Sequence, residues 1–145
     1  MDALRAEVDR LGLALPTGAL ERFARYLLLL EAWNDRAGLT AITDADTAQR
    51  RHFGESLALL VTLRAAGVLP AGAPTRVADI GPGGGFPGVP MALAEPALTL
   101  VLIEAQERRC AFLRSLADAL DLADRVTVVH ARAEEAGRMP TLRAA

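Results

Sequence analysis

The sequence predicts an α/β protein: a small N-terminal helical module followed by the first half, three strands, of a doubly wound, Rossmann-like parallel sheet. Three observations carry this. Apolar residues recur at helical spacing up to about residue 67, a Pro- and Gly-dense stretch, LPAGAP (Leu69 to Pro74), then interrupts the chain, and beyond it short apolar runs alternate with helix-like segments. The expected organisation is residues 1–67 as the helical module and 75–145 as the partial sheet domain.

From Thr17 to Trp33, Leu20, Phe23, Leu27 and Leu30 form the stripe of an amphipathic helix, and Gly38, Thr40 and Thr43 break it. A second stripe of Phe53, Leu57, Leu60 and Val61 follows the candidate caps Thr43 and Asp44 and ends near Gly67. After the boundary, RVADI (Arg76 to Ile80) reads as a strand that ends in glycines. PGVPMALAE (Pro87 to Glu95) is helix-compatible, with proline tolerated only in the first turn. LTLVLI (Leu98 to Ile103) and RVTVVH (Arg125 to His130) read as further strands, separated by a helix from Arg108 to Leu120 with Phe112, Leu113, Leu116 and Leu120 inward. Each helix returns the chain to start a parallel neighbour.

Composition excludes more than it selects. Of 145 residues 52% are apolar, yet Arg, Asp and Glu interrupt every stretch before it reaches the roughly 20 residues that span a bilayer. The N-terminus MDALRAEVDRLG lacks the basic-then-apolar order of a secretory signal, so a cytoplasmic protein is the expectation. The single cysteine, Cys110, leaves no internal disulfide and no multi-cysteine zinc site, and no metal is expected. Its apolar neighbours mark Cys110 as helix packing rather than a nucleophile. With a net charge of −2 and all 16 basic residues Arg, composition neither supports nor excludes a nucleic-acid partner.

The chemistry-bearing segment is DIGPGGGFPG, Asp79 to Gly88, at the carboxyl end of the first strand, where ligands bind in such sheets. Two registers compete. Gly83, Gly85 and Gly88 fit the G-x-G-x-x-G of dinucleotide enzymes, whereas Asp79 with Gly81, Gly83 and Gly85 fits the Asp-x-Gly-x-Gly-x-Gly of methyltransferases. The strand ends at Ile80, which makes Gly81 the first turn residue and favours the second register. An anionic Asp79 suits a ligand bearing a sulfonium and an ammonium better than one bearing a pyrophosphate; alternatively it only holds the turn's amides. Glu104 closes the second strand, where a carboxylate accepts the ribose hydroxyls of any adenosine cofactor. Past the third strand, the backbone of Ala133 and Glu134 falls where an adenine edge would lie.

These residues resemble the bacterial 16S ribosomal RNA guanine-N7 methyltransferases. The resemblance runs from about Tyr26 to Glu135 through LLLLEAWN, LTAIT, RHFGESLALL, DIGPGGGFPGVP, AFLRSLADAL and VVHARAEE, in the family's order and spacing. It implies the fold of a class I methyltransferase and S-adenosylmethionine as cofactor, with Gly81 and Phe86 lining its pocket, Glu104 holding the ribose and Ala133 with Glu134 meeting the adenine. It places Asn34, Arg51 and His52 on the substrate side and Arg108 and Arg109 where RNA phosphates would lie, with 16S ribosomal RNA or the small ribosomal subunit as partner. Gly38 stands where the family carries Asn, Glu55 where it carries Asp, and Pro82 and Gly84 occupy variable loop positions.

Guanine N7 has an exposed lone pair, so the implied reaction needs positioning rather than a general base, and no catalytic residue is assigned. The family continues through a fourth strand with a Ser-Arg-Ala segment and further strands that this sequence does not contain. The first strand is therefore expected to have an unpaired edge and an uncovered apolar face, and this chain alone to bind S-adenosylmethionine poorly and to methylate little. The residues also admit a nicotinamide-dependent oxidoreductase, through the other glycine register, and a non-enzymatic remnant that binds RNA or a partner through the helical module.

Overall fold

The computed structural model describes residues 1–143; the last two positions of the expected 75–145 domain lie outside the described residues. Helices α1 (Asp2–Leu11) and α2 (Ala19–Ala37) lead into α3 (Ala45–Ala48), a π-helical segment (Gln49–Gly54) and α4 (Glu55–Ala65). The sheet part alternates β1 (Thr75–Ile80), α5 (Gly88–Ala94), β2 (Leu98–Glu104), α6 (Glu107–Ala119) and β3 (Val126–His130), followed by the short helices α7 (Ala133–Ala136) and α8 (Pro140–Arg143). The strands form one parallel sheet in the order β1-β2-β3.

Three helix ends follow from residues visible in the sequence. Gly38 adopts a left-handed conformation (φ 58°) at the end of α2, and its N–H donates to the Asn34 carbonyl. Asp44, not Thr43, caps α3 by accepting from the Thr47 N–H at 2.8 Å. Pro90 is the third residue of α5, within the first turn, where its missing N–H leaves no helical bond unmade. Two features escape the periodicity argument. The first is α1 itself, and the second is the π-helical segment that interrupts what the stripe from Phe53 to Val61 predicts as one regular helix. The segment turns Gln49 inward, where its Oε1 accepts the N–H of Leu4, one of the orphan donors of α1. Gly54 packs so closely on α1 that a Cβ there would meet Glu7 Cγ at 3.2 Å.

The sheet is two-faced. Along β2, Leu98, Leu100 and Leu102 join Val77 of β1 and Val126 and Val128 of β3 under α5, α6 and the helical module, in a single core that runs from Leu4 to Val126. That core passes through both expected segments, so 1–67 and 75–145 share one interior. The opposite face carries a small cluster of Val101, Ile103, Ala131 and Ala136. There Arg76 and Ala78 are exposed, and Ile80 is 62% exposed. Among the described residues β1 pairs only with β2, which gives the free parallel edge and the bare face that the sequence leads one to expect.

Candidate functional site

Residues at the carboxyl ends of the three strands enclose a cavity of about 310 Å³. Ile80 and Gly81 end β1, Ile103, Glu104 and Ala105 end β2, and Ala131 to Glu134 follow β3, with Arg109 of α6 on the rim. Parallel strands in register produce this convergence: Ile80 pairs with Ile103 and Glu104 with His130, so the strand ends fall level. Of the expected cofactor residues, Gly81, Glu104, Ala133 and Glu134 line this cavity.

The loop between β1 and α5 is shaped to leave space. Gly81 and Gly83 have φ of 69° and 58°, a region side chains rarely adopt, and a Cβ on either would meet no protein atom within 4 Å. Glu104 anchors the loop from β2: its Oε1 accepts from the Gly83 N–H at 3.2 Å and its Oε2 from the Gln106 N–H at 2.8 Å. A carboxylate offers about four acceptor positions, so both oxygens retain capacity toward the cavity. Cys110 is fully buried beneath, its thiol 3.3 Å from the Glu104 carbonyl, and burial pushes that thiol up from its ordinary value. It packs the helix, as its neighbours suggest.

Asp79 lies under the loop rather than on the cavity wall. Its Oδ2 accepts from the Gly88 N–H at 2.9 Å, and burial raises the carboxyl above its usual range while that bond opposes the rise. It makes the amide-holding contact that the sequence reading names as an alternative. Gly88 allows this approach, because a Cβ there would lie 2.8 Å from both Asp79 Oδ2 and Leu100 Cδ1. Gly85 (φ 100°) faces the hydroxyl of Tyr26 within clashing range of any side chain.

Phe86 is placed differently from the expectation as well. It is absent from the cavity lining and is sandwiched between the ring of His52, at 4.3 Å and 7°, and that of Tyr26, at 5.5 Å and 2°. Tyr26 is fully buried, and its hydroxyl donates to the Gly84 carbonyl at 2.7 Å. Burial first, and the Asp79 charge second, push that hydroxyl's titration far up, so it stays a donor. Tyr26 falls three residues after Phe23 and four before Leu30, inside the stripe, yet periodicity gives no hint that it reaches the glycine loop.

A further network supports His52. Asn34 Oδ1 accepts from the N–H groups of Leu39 and Thr40, and its Nδ2 donates to the Thr40 carbonyl. The Thr40 hydroxyl meets His52 Nε2 at 2.7 Å. Burial lowers the His52 pKa from 6.5, with Glu55 pulling the other way, which keeps the ring neutral near pH 7. Asn34 and His52 are thus brought together through Thr40, which the sequence reading names only as a break in the helical stripe.

The arginines divide. Arg51 is exposed on the π-helical segment. Arg109 donates to the carbonyls of Ala37 and Gly38, at 3.3 and 3.0 Å, and Arg108 to that of Arg36 at 3.4 Å. Both thus reach the carboxyl end of α2, where cations are favoured. Among the described residues no three His, Cys, Asp or Glu side chains group as metal ligands, and no helix is long and apolar enough to cross a membrane.

Known proteins match this sequence. The family model described as rRNA small subunit methyltransferase G matches residues 19–144. A ribosomal RNA small subunit methyltransferase G from Roseiflexus sp. (strain RS-1) is 43% identical over 140 residues, 97% of this chain and 56% of the relative. The proteins of that name from Alkalilimnicola ehrlichii and Leuconostoc citreum are 39% and 35% identical, over 84% and 95% of this chain and 51% and 56% of their own lengths. The chain spans about half the length of the curated relatives it matches. With the family model covering most of its residues, and a cavity at the strand ends beside a glycine loop held by Asp79 and Glu104, the chain belongs to the rRNA small subunit methyltransferase G family.

Proposed function

We propose that this chain provides the cofactor-binding part of an S-adenosylmethionine-dependent enzyme that methylates N7 of a guanine in 16S ribosomal RNA in the cytoplasm. The observation that carries the reading is the cavity joining Gly81, Glu104, Ala133 and Glu134 at the ends of three parallel strands. Its volume lies at the small end of the roughly 300–1,000 Å³ of ligand sites. The donor set fits an adenosine: a buried carboxylate at the end of β2 for the ribose hydroxyls, a glycine floor open to close approach, and backbone groups at Ala133 and Glu134 for the adenine edge. When bound, S-adenosylmethionine supplies the electrophilic methyl group.

The chain's own residues bind and orient. Guanine N7 carries its lone pair at neutral pH, so no side chain has to remove a proton before attack. Tyr26 and Glu104 hold the glycine loop from opposite sides, through the Gly84 carbonyl and the Gly83 N–H. His52 is held by Thr40 at Nε2 and by Phe86 at one face, and its Nδ1 has no protein partner among the described residues. That leaves one polar atom on the substrate side of the loop for a base. Arg51, exposed nearby in sequence, supplies positive charge for a phosphate.

The test is an amide-shift titration of the 145-residue chain with S-adenosylhomocysteine and, separately, NADH. S-adenosylhomocysteine is expected to move Gly81, Glu104 and Ala133 with a dissociation constant on the order of 100 μM, because the β1 side of the site is bare. Glu104→Gln is expected to weaken binding at least about tenfold, as a charge-assisted bond is lost. Preference for NADH, or no shift at these amides up to about 1 mM, overturns the cofactor reading. Micromolar affinity overturns the weakness assigned to the bare side.

A further inference from the structure

A concavity of about 620 Å³ lies outside the cofactor region, in the helical module. One wall is α2, which presents Ala24, Leu27, Leu28 and Leu30; the other is the segment around Ile42, Ala45 and Ala48. Its origin is legible in the run Leu27 to Leu30. Consecutive positions on a helix point 100° apart, so four leucines in a row cannot all face the core. Leu30 is buried, whereas Leu28 is left 65% exposed.

Three properties of this groove identify what it would take. From Ala24 to Asp35 it follows α2 for about 16 Å, the length of three helical turns. Its floor is aliphatic. Its charged lining side chains are Glu31 and Asp35, one turn apart, both exposed and without a salt-bridge partner among the described residues, while Met1, the N-terminal residue, lines the groove as well. No arginine lines it, although every basic residue of the chain is Arg. Asn34, the remaining amide on this wall, is already bonded to Leu39 and Thr40 and acts as structure. Two carboxylates at the rim repel a phosphate backbone, so RNA is the wrong occupant.

We infer that this groove docks a basic amphipathic helix of a partner protein, its leucine-type anchors against Leu27, Leu28 and Ile42 and its Arg or Lys side chains against Glu31 and Asp35. An apolar stripe laid in an apolar groove supplies the affinity, and the two carboxylates set orientation and partner choice. The groove is separate from the cofactor cavity, and although Asn34 and Thr40, which line it, also belong to the network that holds His52, a peptide titration reads the groove without reference to methyl transfer.

The experiment uses the whole 145-residue chain and two synthetic helix-forming peptides with the same leucine stripe, one flanked by arginines and one by glutamates. Amide shifts mapped during titration are expected to localise the arginine peptide to Ala24–Asp35 and Ile42–Ala48, with a dissociation constant on the order of 10–100 μM. Glu31→Lys with Asp35→Lys, both at exposed positions, is expected to weaken it about tenfold and to let the glutamate peptide bind instead. Leu28→Asp is expected to weaken both peptides. Equal binding of the two peptides by the unchanged chain, shifts outside the groove, or no binding up to about 1 mM overturns the inference. Displacement of the arginine peptide by an RNA duplex at the same amides overturns it too.

Discussion

Tyr26 and Gly85 meet at the point where the helical module touches the glycine loop, and their contact predicts a measurable energetic coupling. Tyr26→Phe keeps the ring against Phe86 but removes the donor to the buried Gly84 carbonyl, which has no other bond among the described residues. An unsatisfied buried acceptor costs about 1–3 kcal/mol. For a chain of this size that corresponds to a fall of about 3–10 °C in Tm. Gly85→Ala alone should be worse. At φ 100° the alanine pays about 1–2 kcal/mol in backbone strain, and its Cβ would collide with the Tyr26 hydroxyl and press on Val89 Cγ2 at 3.1 Å. When Phe already replaces Tyr26, the collision with the hydroxyl is gone while the strain and the Val89 contact remain. The double variant is therefore expected to be less destabilised than the sum of the singles by about 1–2 kcal/mol. Urea denaturation of the four proteins, analysed as a double-mutant cycle, measures that difference. Additivity within about 0.5 kcal/mol refutes the claim that the hydroxyl braces the loop.

Asp79 and Arg125 give two further tests. Burial holds the Asp79 carboxyl above its reference value of 3.8, so the folded chain binds that proton more tightly than the unfolded one. The stability this lends is complete below 3.8 and is lost as pH rises through the raised folded value. Asp79→Asn keeps an oxygen for the Gly88 N–H and never ionises, so its stability relative to the parent should climb over that window and then level off. Thermal melts across pH measure this, and a constant difference contradicts it. Arg125, at the entrance to β3, donates to the carbonyls of Ala92, Glu95 and Leu98 and so ties the end of α5 to the start of β2. Arg125→Met should cost about 2 kcal/mol by urea denaturation, with Arg125→Lys recovering less than half, since an ammonium cannot span the fork. Full recovery by lysine would show that charge rather than geometry matters.

The glycine loop illustrates how far a sequence reading reaches. Gly81 as the first turn residue follows from the end of the apolar run at Ile80, and Glu104 follows from the end of the next run, because strand ends are set by local pattern. Four of the expected cofactor residues do meet in one cavity. Phe86 and Asp79 do not line it, although they sit in the same ten-residue segment. Which way a loop side chain turns depends on what waits on either side, here the rings of His52 and Tyr26 for one and the Gly88 N–H for the other. Arg108 and Arg109 make the same point: surface helix arginines read as phosphate ligands, and only the approach of the carboxyl end of α2 to α6 gives them carbonyls to bind.

By itself, the sequence determined the alternation of strands and helices after residue 75, the parallel sheet and the glycine and acidic positions of the loop after β1. Those features are local or follow from chain topology, since periodicity, glycine and proline act over a few residues. The tertiary structure alone decided that one core runs through both segments, that a π-helical turn aims Gln49 at the amides of α1, and that Tyr26, Thr40 and His52 support the loop from a module far away in sequence. The reason is physical: a buried polar group must find its partner wherever packing brings one, and that partner is chosen by shape and distance in three dimensions, which no spacing along the chain encodes.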